Sequence, residues 1–152
     1  FRRVLFRSAR VQAYHAADAS PVAPARLALV LEQPDQLSNL RMRLLPSLQV
    51  LRSPWAVLSI WAAHQTDGEV DLSRLDFATP EDVLVLRSEW DVQVLLLPPG
   101  VASFAQALLG GSALGDAAEL AMREVADFDL SQALALLLRF RAVADLTMNT
   151  LE

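Results

Sequence analysis

The chain has 152 residues, 53% of them hydrophobic and 20% charged, which suits one domain, or one domain plus a fragment, around a real apolar core. It contains no Cys, so a disulfide framework, thiolate metal ligands and a Cys nucleophile are excluded, and a reducing compartment fits. The longest unbroken apolar run, Ala133 to Leu138, falls far short of the roughly 20 residues that span a bilayer, so a soluble, cytoplasmic protein is expected.

Phe1 to Ser8 reads FRRVLFRS, three Arg in eight residues joined to an otherwise acidic chain. RVLFRS is similar to the translation of a common sequencing-adapter oligonucleotide. These residues are read as an assembly scar and kept out of the fold reasoning. The alternative is a genuine basic helix start. All 13 basic residues are Arg, and without Arg2, Arg3 and Arg7 there remain 10 against 18 acidic residues, a formal charge of −8. A field that acidic opposes binding to nucleic-acid phosphates unless the remaining Arg cluster on one face.

Ala9 to Asp18 reads as the tail of a helix, ending before Ser20-Pro21. Pro24 to Leu31 is a short second helix with proline in its first turn. Leu40 to Arg52 is a strand candidate interrupted by Pro46, as an edge or a bend would be. Ser53-Pro54 signals a helix start, with Trp55, Leu58, Trp61 and Ala62 on one face. His64 to Thr79 is a loop. Its Glu69, Asp71 and Asp76 invite a hard-cation site but lack the spacing of a calcium loop, so a solvated acidic loop is the preferred reading.

Val83 to Leu97 carries the clearest β pattern. Val83, Val85 and Arg87 alternate with Leu84 and Leu86, Ser88 to Asp91 turns, and Val92, Val94 and Leu96 return, which predicts a hairpin. Three helices should follow. Pro99 opens the first and Gly110-Gly111 stops it; Ser112 caps the second; Asp129, with Gln132 three residues on, caps the third. The third helix, with Leu130, Leu134, Leu137, Leu138 and Phe140, is apolar over most of its circumference. It should need cover from a missing domain or a partner. The series is an α+β arrangement: a small antiparallel sheet with a hairpin, then three short helices in a winged-helix-like outline, preceded by helices.

Nothing in the sequence predicts catalysis. His15 and His64 are far apart, and neither sits in a metal-ligand pattern. No glycine-rich phosphate loop opens a helix, and there is no Gly-x-Ser-x-Gly elbow. Glu81-Asp82 reads as a pair of solvated charges. Trp55 and Trp61 share a stripe with Leu58 and should be core. Trp90, in the hairpin turn, is the better interface candidate.

A family resemblance rests on an ordered series of segments. ARVQAYHAADASPV (Ala9 to Val22) resembles the junction helix of the HvfC/BufC-type peptide-modification chaperones. RMRLLPSLQVLRSPWAVLSIWAAHQ (Arg41 to Gln65) is similar to the start of their C-terminal domain. VLVLR, FAQALLGGSALGDAAELA and FDLSQALALLL are similar to the rest. The resemblance implies that residues 9–22 end an absent N-terminal helical domain and that residues 23–152 form the C-terminal α+β domain. Members have long carried a DNA-binding-domain label. The role implied is that of a non-catalytic partner of a multinuclear iron oxygenase that modifies Cys-containing ribosomal precursor peptides. The partner helps to hold the precursor; the iron belongs to the oxygenase, and no cofactor is expected on this chain. The alternative is a DNA-binding transcriptional regulator. It is disfavoured because the third helix offers mainly Leu, with Arg139 and Arg141 late in it. The expected peptide or partner site comprises Trp90, the strand residues Val92, Val94 and Leu96 at a sheet edge, and a facing wall of Leu134, Leu137, Leu138 and Arg141. The alternative for each of these leucines is plain core.

Overall fold

A computed structural model describes residues 2–65 and 67–148, without the side chains of Arg2 and Arg3. The fold is α+β, and it is organised around strand β3 (Glu81–Ser88). Val83, Leu84, Val85 and Leu86 are all buried, because both faces of the sheet are covered. β3 is the middle of an antiparallel sheet between β2 (Gln49–Ser53) and β4 (Asp91–Leu96). Val83 and Val85 face α1 (Arg2–His15), which contributes Phe6, Ala9 and Ala13, and α3 (Val57–Ala63), which contributes Trp61. Leu84 and Leu86 face the main core. α1 runs unbroken through the boundary expected between Ser8 and Ala9. The Phe6 and Trp61 ring centroids are 5.5 Å apart, and the Arg10 guanidinium carbon lies 4.9 Å from the Trp61 ring centroid.

The expected strand from Leu40 to Arg52 is two strands in two sheets. β1 (Leu40–Leu44) buries Leu40, Met42 and Leu44 and pairs antiparallel with β5 (Val143–Met148). The chain then turns at 45–48, where Leu45 N–H donates to Ala142 O at 2.8 Å and Leu48 N–H to Leu45 O at 3.0 Å. Beyond this corner β2 joins β3. β5 is not among the expected elements. Its inward residues, Val143 and Leu146, do not alternate cleanly, so it carries no period-2 signal.

α2 (Pro24–Leu31) and a 3₁₀ helix (Pro34–Asn39) lead into β1. Arg26 ties α2 to β5, donating to Asp145 Oδ1 and Leu146 O, both at 2.7 Å. After the hairpin come α4 (Val101–Leu109), α5 (Leu114–Glu124) and α6 (Leu130–Arg139). Phe104 of α4 packs on Phe128 with centroids 5.5 Å apart. The Asp129 cap forms as its spacing predicts, with Gln132 N–H donating to Oδ1 at 3.0 Å. Ser112 is not a cap: α5 starts one residue later, with Ala113 at its N-cap and no side-chain acceptor.

Further expectations are corrected. α6 does not wait for outside cover: Ala133 and Leu137 are buried, and Leu130, Leu134, Leu136 and Leu138 are half-buried against the chain's own core. Ser53-Pro54 does not open α3 either. Ser53 Oγ accepts from Trp55 N–H at 3.1 Å in a local turn, which leaves Trp55 49% exposed instead of core. The cap of α3 comes from β3. The buried Glu81 carboxylate accepts from the N–H groups of Leu58 at 2.7 Å and Ser59 at 3.1 Å, and from the Ser59 hydroxyl. Glu81 is therefore a buried structural acceptor and not a solvated charge.

Candidate functional site

The edge of β4 is the first feature with binding potential. Leu97 N–H donates to Asp82 O at 2.8 Å, and the register pairs Leu84 with Leu95 and Leu86 with Gln93. In an antiparallel ladder, bonded and non-bonded pairs alternate. Val92, Val94 and Leu96 therefore direct their backbone N–H and C=O groups away from β3. Among the described residues no strand lies on that side. The Val92 and Val94 side chains pack with α1, whereas Leu96 is exposed. A groove of about 310 Å3 lies beside the edge, lined by Arg7, Arg10, Val11, Tyr14, His15 and Val92.

The wall facing this edge is α1 and not α6. Leu137 is 0% exposed, and Leu134 and Leu138 pack with it in the main core, on the other face of the sheet from Val92 and Val94. Leu137 is therefore core, with Leu134 and Leu138 half-buried against it, and none of the three lines the groove beside β4. Val11 and Tyr14, both exposed, take their place as wall residues. A sequence signal for them existed: they sit three apart, beside the face formed by Phe6, Ala9 and Ala13.

Trp90 and Arg141 do come together, at a separate cleft of about 580 Å3. Its walls are the segment 17–21, the corner 45–47, the hairpin tip 87–90, and Phe140 with Arg141. Trp90 is 89% exposed. Arg87 donates to Tyr14 O at 2.5 Å, Ala16 O at 3.1 Å and Asp18 Oδ1 at 2.6 Å. It thus ties the helix end beside the groove to the segment lining the cleft.

The backbone at the cleft is unusual. Among the described residues, Glu89 (φ 56°) and Arg141 (φ 52°) are the non-glycine residues with positive φ, and both line this cleft. Arg141 follows α6 in a Schellman arrangement: its N–H donates to Leu138 O at 3.0 Å, and Ala142 N–H donates to Leu137 O at 2.9 Å. α4 ends in the same way, but with Gly111 (φ 88°) in the equivalent place. Neither Glu89 nor Arg141 has a side-chain hydrogen bond or ion pair among the described residues.

Other charged groups are committed to structure. Arg52 makes two 3.2 Å bonds to the Asp82 carboxylate and also meets Ser103 and Glu124, joining β2 to α4 and α5. The hydrogen bond from Arg52, followed by that from Ser103, holds the Glu124 carboxyl below the usual carboxylate range. In the acidic loop, Asp71 accepts from Ser73 N–H at 3.0 Å and Asp76 from Ala78 N–H at 3.0 Å, both in local turns. His64 Nδ1 meets Ile60 O at 2.7 Å at the end of α3. Among the described residues no group of three or more His, Asp or Glu is placed to hold a metal ion, and no helix is long and apolar enough to cross a membrane.

Fold and surface together define an α+β domain with an open sheet edge, a helix-walled groove beside it and a cleft at the hairpin tip. No family model matches the chain, and neither a curated protein nor a solved structure matches it.

Proposed function

We propose that the chain is a non-catalytic, cytoplasmic accessory protein that binds a ribosomal precursor peptide on behalf of a multinuclear iron oxygenase. The observation that carries this reading is the outward backbone of Val92, Val94 and Leu96 at the edge of β4. An extended peptide laid there would complete the ladder with main-chain hydrogen bonds, while the groove beside α1 would select side chains. The resemblance of the ordered segments to the HvfC/BufC-type chaperones supplies the class of peptide and the partner enzyme.

DNA binding ranks second. The N-terminus of α6 is flanked by Asp127 and Asp129, and the basic residue within the helix, Arg139, stands at its opposite end with Arg141 just beyond it. That arrangement repels phosphate where a recognition helix would enter the major groove.

Amide hydrogen exchange tests the proposal. Adding the leader of the precursor encoded beside the oxygenase should slow exchange at Val92, Val94 and Leu96. Protection confined to other segments would remove the edge from the reading. Tight, salt-sensitive binding of duplex DNA would favour the alternative.

A further inference from the structure

The cleft at the hairpin tip has three side chains with nothing to do in the fold: Trp90, Glu89 and Arg141. Two of them hold a backbone conformation that glycine would adopt without strain. The end of α4 makes this concrete, because the same capping geometry there uses Gly111. A left-handed residue with a Cβ is disfavoured, and such strain persists where a side chain is needed for something else. At position 141 that something is an unpaired guanidinium on the rim of a cleft.

We propose that this cleft is a second recognition site, for a peptide segment that presents a carboxylate side chain next to an aromatic residue. Arg141 supplies a planar donor fork for the carboxylate. Trp90 supplies an exposed indole face for the aromatic ring. Pro46 and Phe140 add apolar surface to the cleft lining. Glu89, on the same hairpin tip, repels a carboxylate placed beside it, so Arg141 is the position left for the ligand's carboxylate. Arg87 is already paired with Asp18 and donates to two carbonyls, which leaves Arg141 as the cleft cation without a partner among the described residues. The inference goes beyond edge addition and does not require it. The contacts are made by side chains at the tip and not by the outward backbone of β4.

Three N-acetylated hexapeptides, identical except for a central Phe-Asp, Phe-Asn or Phe-Lys, are titrated into the 152-residue protein. Shifts of the Trp90 indole N–H, assigned with Trp90→Phe, report binding. Phe-Asp should bind at least tenfold more tightly than Phe-Asn, and Phe-Lys more weakly still. Arg141→Gly should weaken Phe-Asp at least tenfold while raising Tm, which separates loss of the ligand contact from loss of fold. Trp90→Ala, at an exposed position, should weaken both Phe-Asp and Phe-Asn. Equal binding of the Asp and Lys peptides, unchanged affinity in Arg141→Gly, or no shift of the Trp90 indole would each overturn the proposal. None of these outcomes bears on exchange protection along β4, so the two sites fail or stand separately.

Discussion

Glu81→Ala should unfold the protein far more readily than its place at the start of a strand suggests. The Glu81 side chain is the N-terminal cap of α3, supplied from a segment more than twenty residues away. Ala56, at the N-cap itself, provides no acceptor. Removing the carboxylate leaves the second and third N–H groups of α3 and the Ser59 hydroxyl without their partner. A buried donor left unpaired costs about 1–3 kcal/mol, and a lost cap costs about 1 kcal/mol. These overlap, and Leu58 and Ser59 are half-buried, so water recovers part of the loss. An overall cost of about 2–3 kcal/mol follows for alanine, and about 1 kcal/mol for Glu81→Gln, which keeps one acceptor oxygen. In a domain of this size the alanine change corresponds to a fall in Tm of about 5–10 °C. Urea unfolding of both variants gives the free energies, and amide exchange at Leu58 and Ser59 shows where the loss acts. An alanine variant within about 0.5 kcal/mol of the parent, with those amides still protected, would refute the capping role.

Three other outcomes are expected. Arg141→Gly should stabilise the fold by about 1 kcal/mol, because it relieves a left-handed residue while keeping the Schellman bonds; urea unfolding measures it, and a destabilised variant would contradict the strain. Leu96→Pro removes an outward N–H at an exposed edge position, so it should fold, yet bind the precursor leader at least tenfold more weakly than Leu96→Ala in a calorimetric titration. Glu124 is held below the usual carboxylate range by Arg52 and Ser103, so its contribution is present above the unfolded carboxylate value of about 4.3 and is lost as pH falls through the lower folded value. Glu124→Gln should therefore lower Tm at neutral pH, and the difference should shrink as pH falls below the unfolded carboxylate value, a comparison made by thermal scans across the acid range.

Elements held by local patterning were legible in the sequence. The hairpin was visible in the alternation from Val83 to Leu96, and α6 in its Asp129 to Gln132 spacing, because both signals lie within a few residues. Features that depend on distant pairing were not. Leu40 to Arg52 reads as one strand because nothing local shows that Arg43 will pair with Asp145 and Arg52 with Asp82 in different sheets. Ser53-Pro54 carries a helix-start signal, but Glu81 provides the cap and moves the helix along by several residues. The apolar circumference of α6 suggested a missing neighbour, whereas Ala133, Leu137 and the half-buried leucines beside them pack into the chain's own main core.

The same division explains the sites. Trp90 could be singled out because a tryptophan in a two-residue turn has nowhere to be buried, and it is 89% exposed. Arg141 could be singled out as a cation at the end of an apolar helix, but not for its reason. Its strain is a property of the backbone, visible only when the α6 end is set beside the α4 end with Gly111. The sequence leaves the α6 leucines open between core and ligand wall, because an apolar helix face has the same composition whether it packs inward or waits for a ligand. Only the sheet decides, and β3 sends Leu84 and Leu86 to the α6 side while keeping Val83 and Val85 for α1. Once that polarity is fixed, the wall of the edge groove has to be α1, and the residues able to touch a peptide there have to be Val11 and Tyr14.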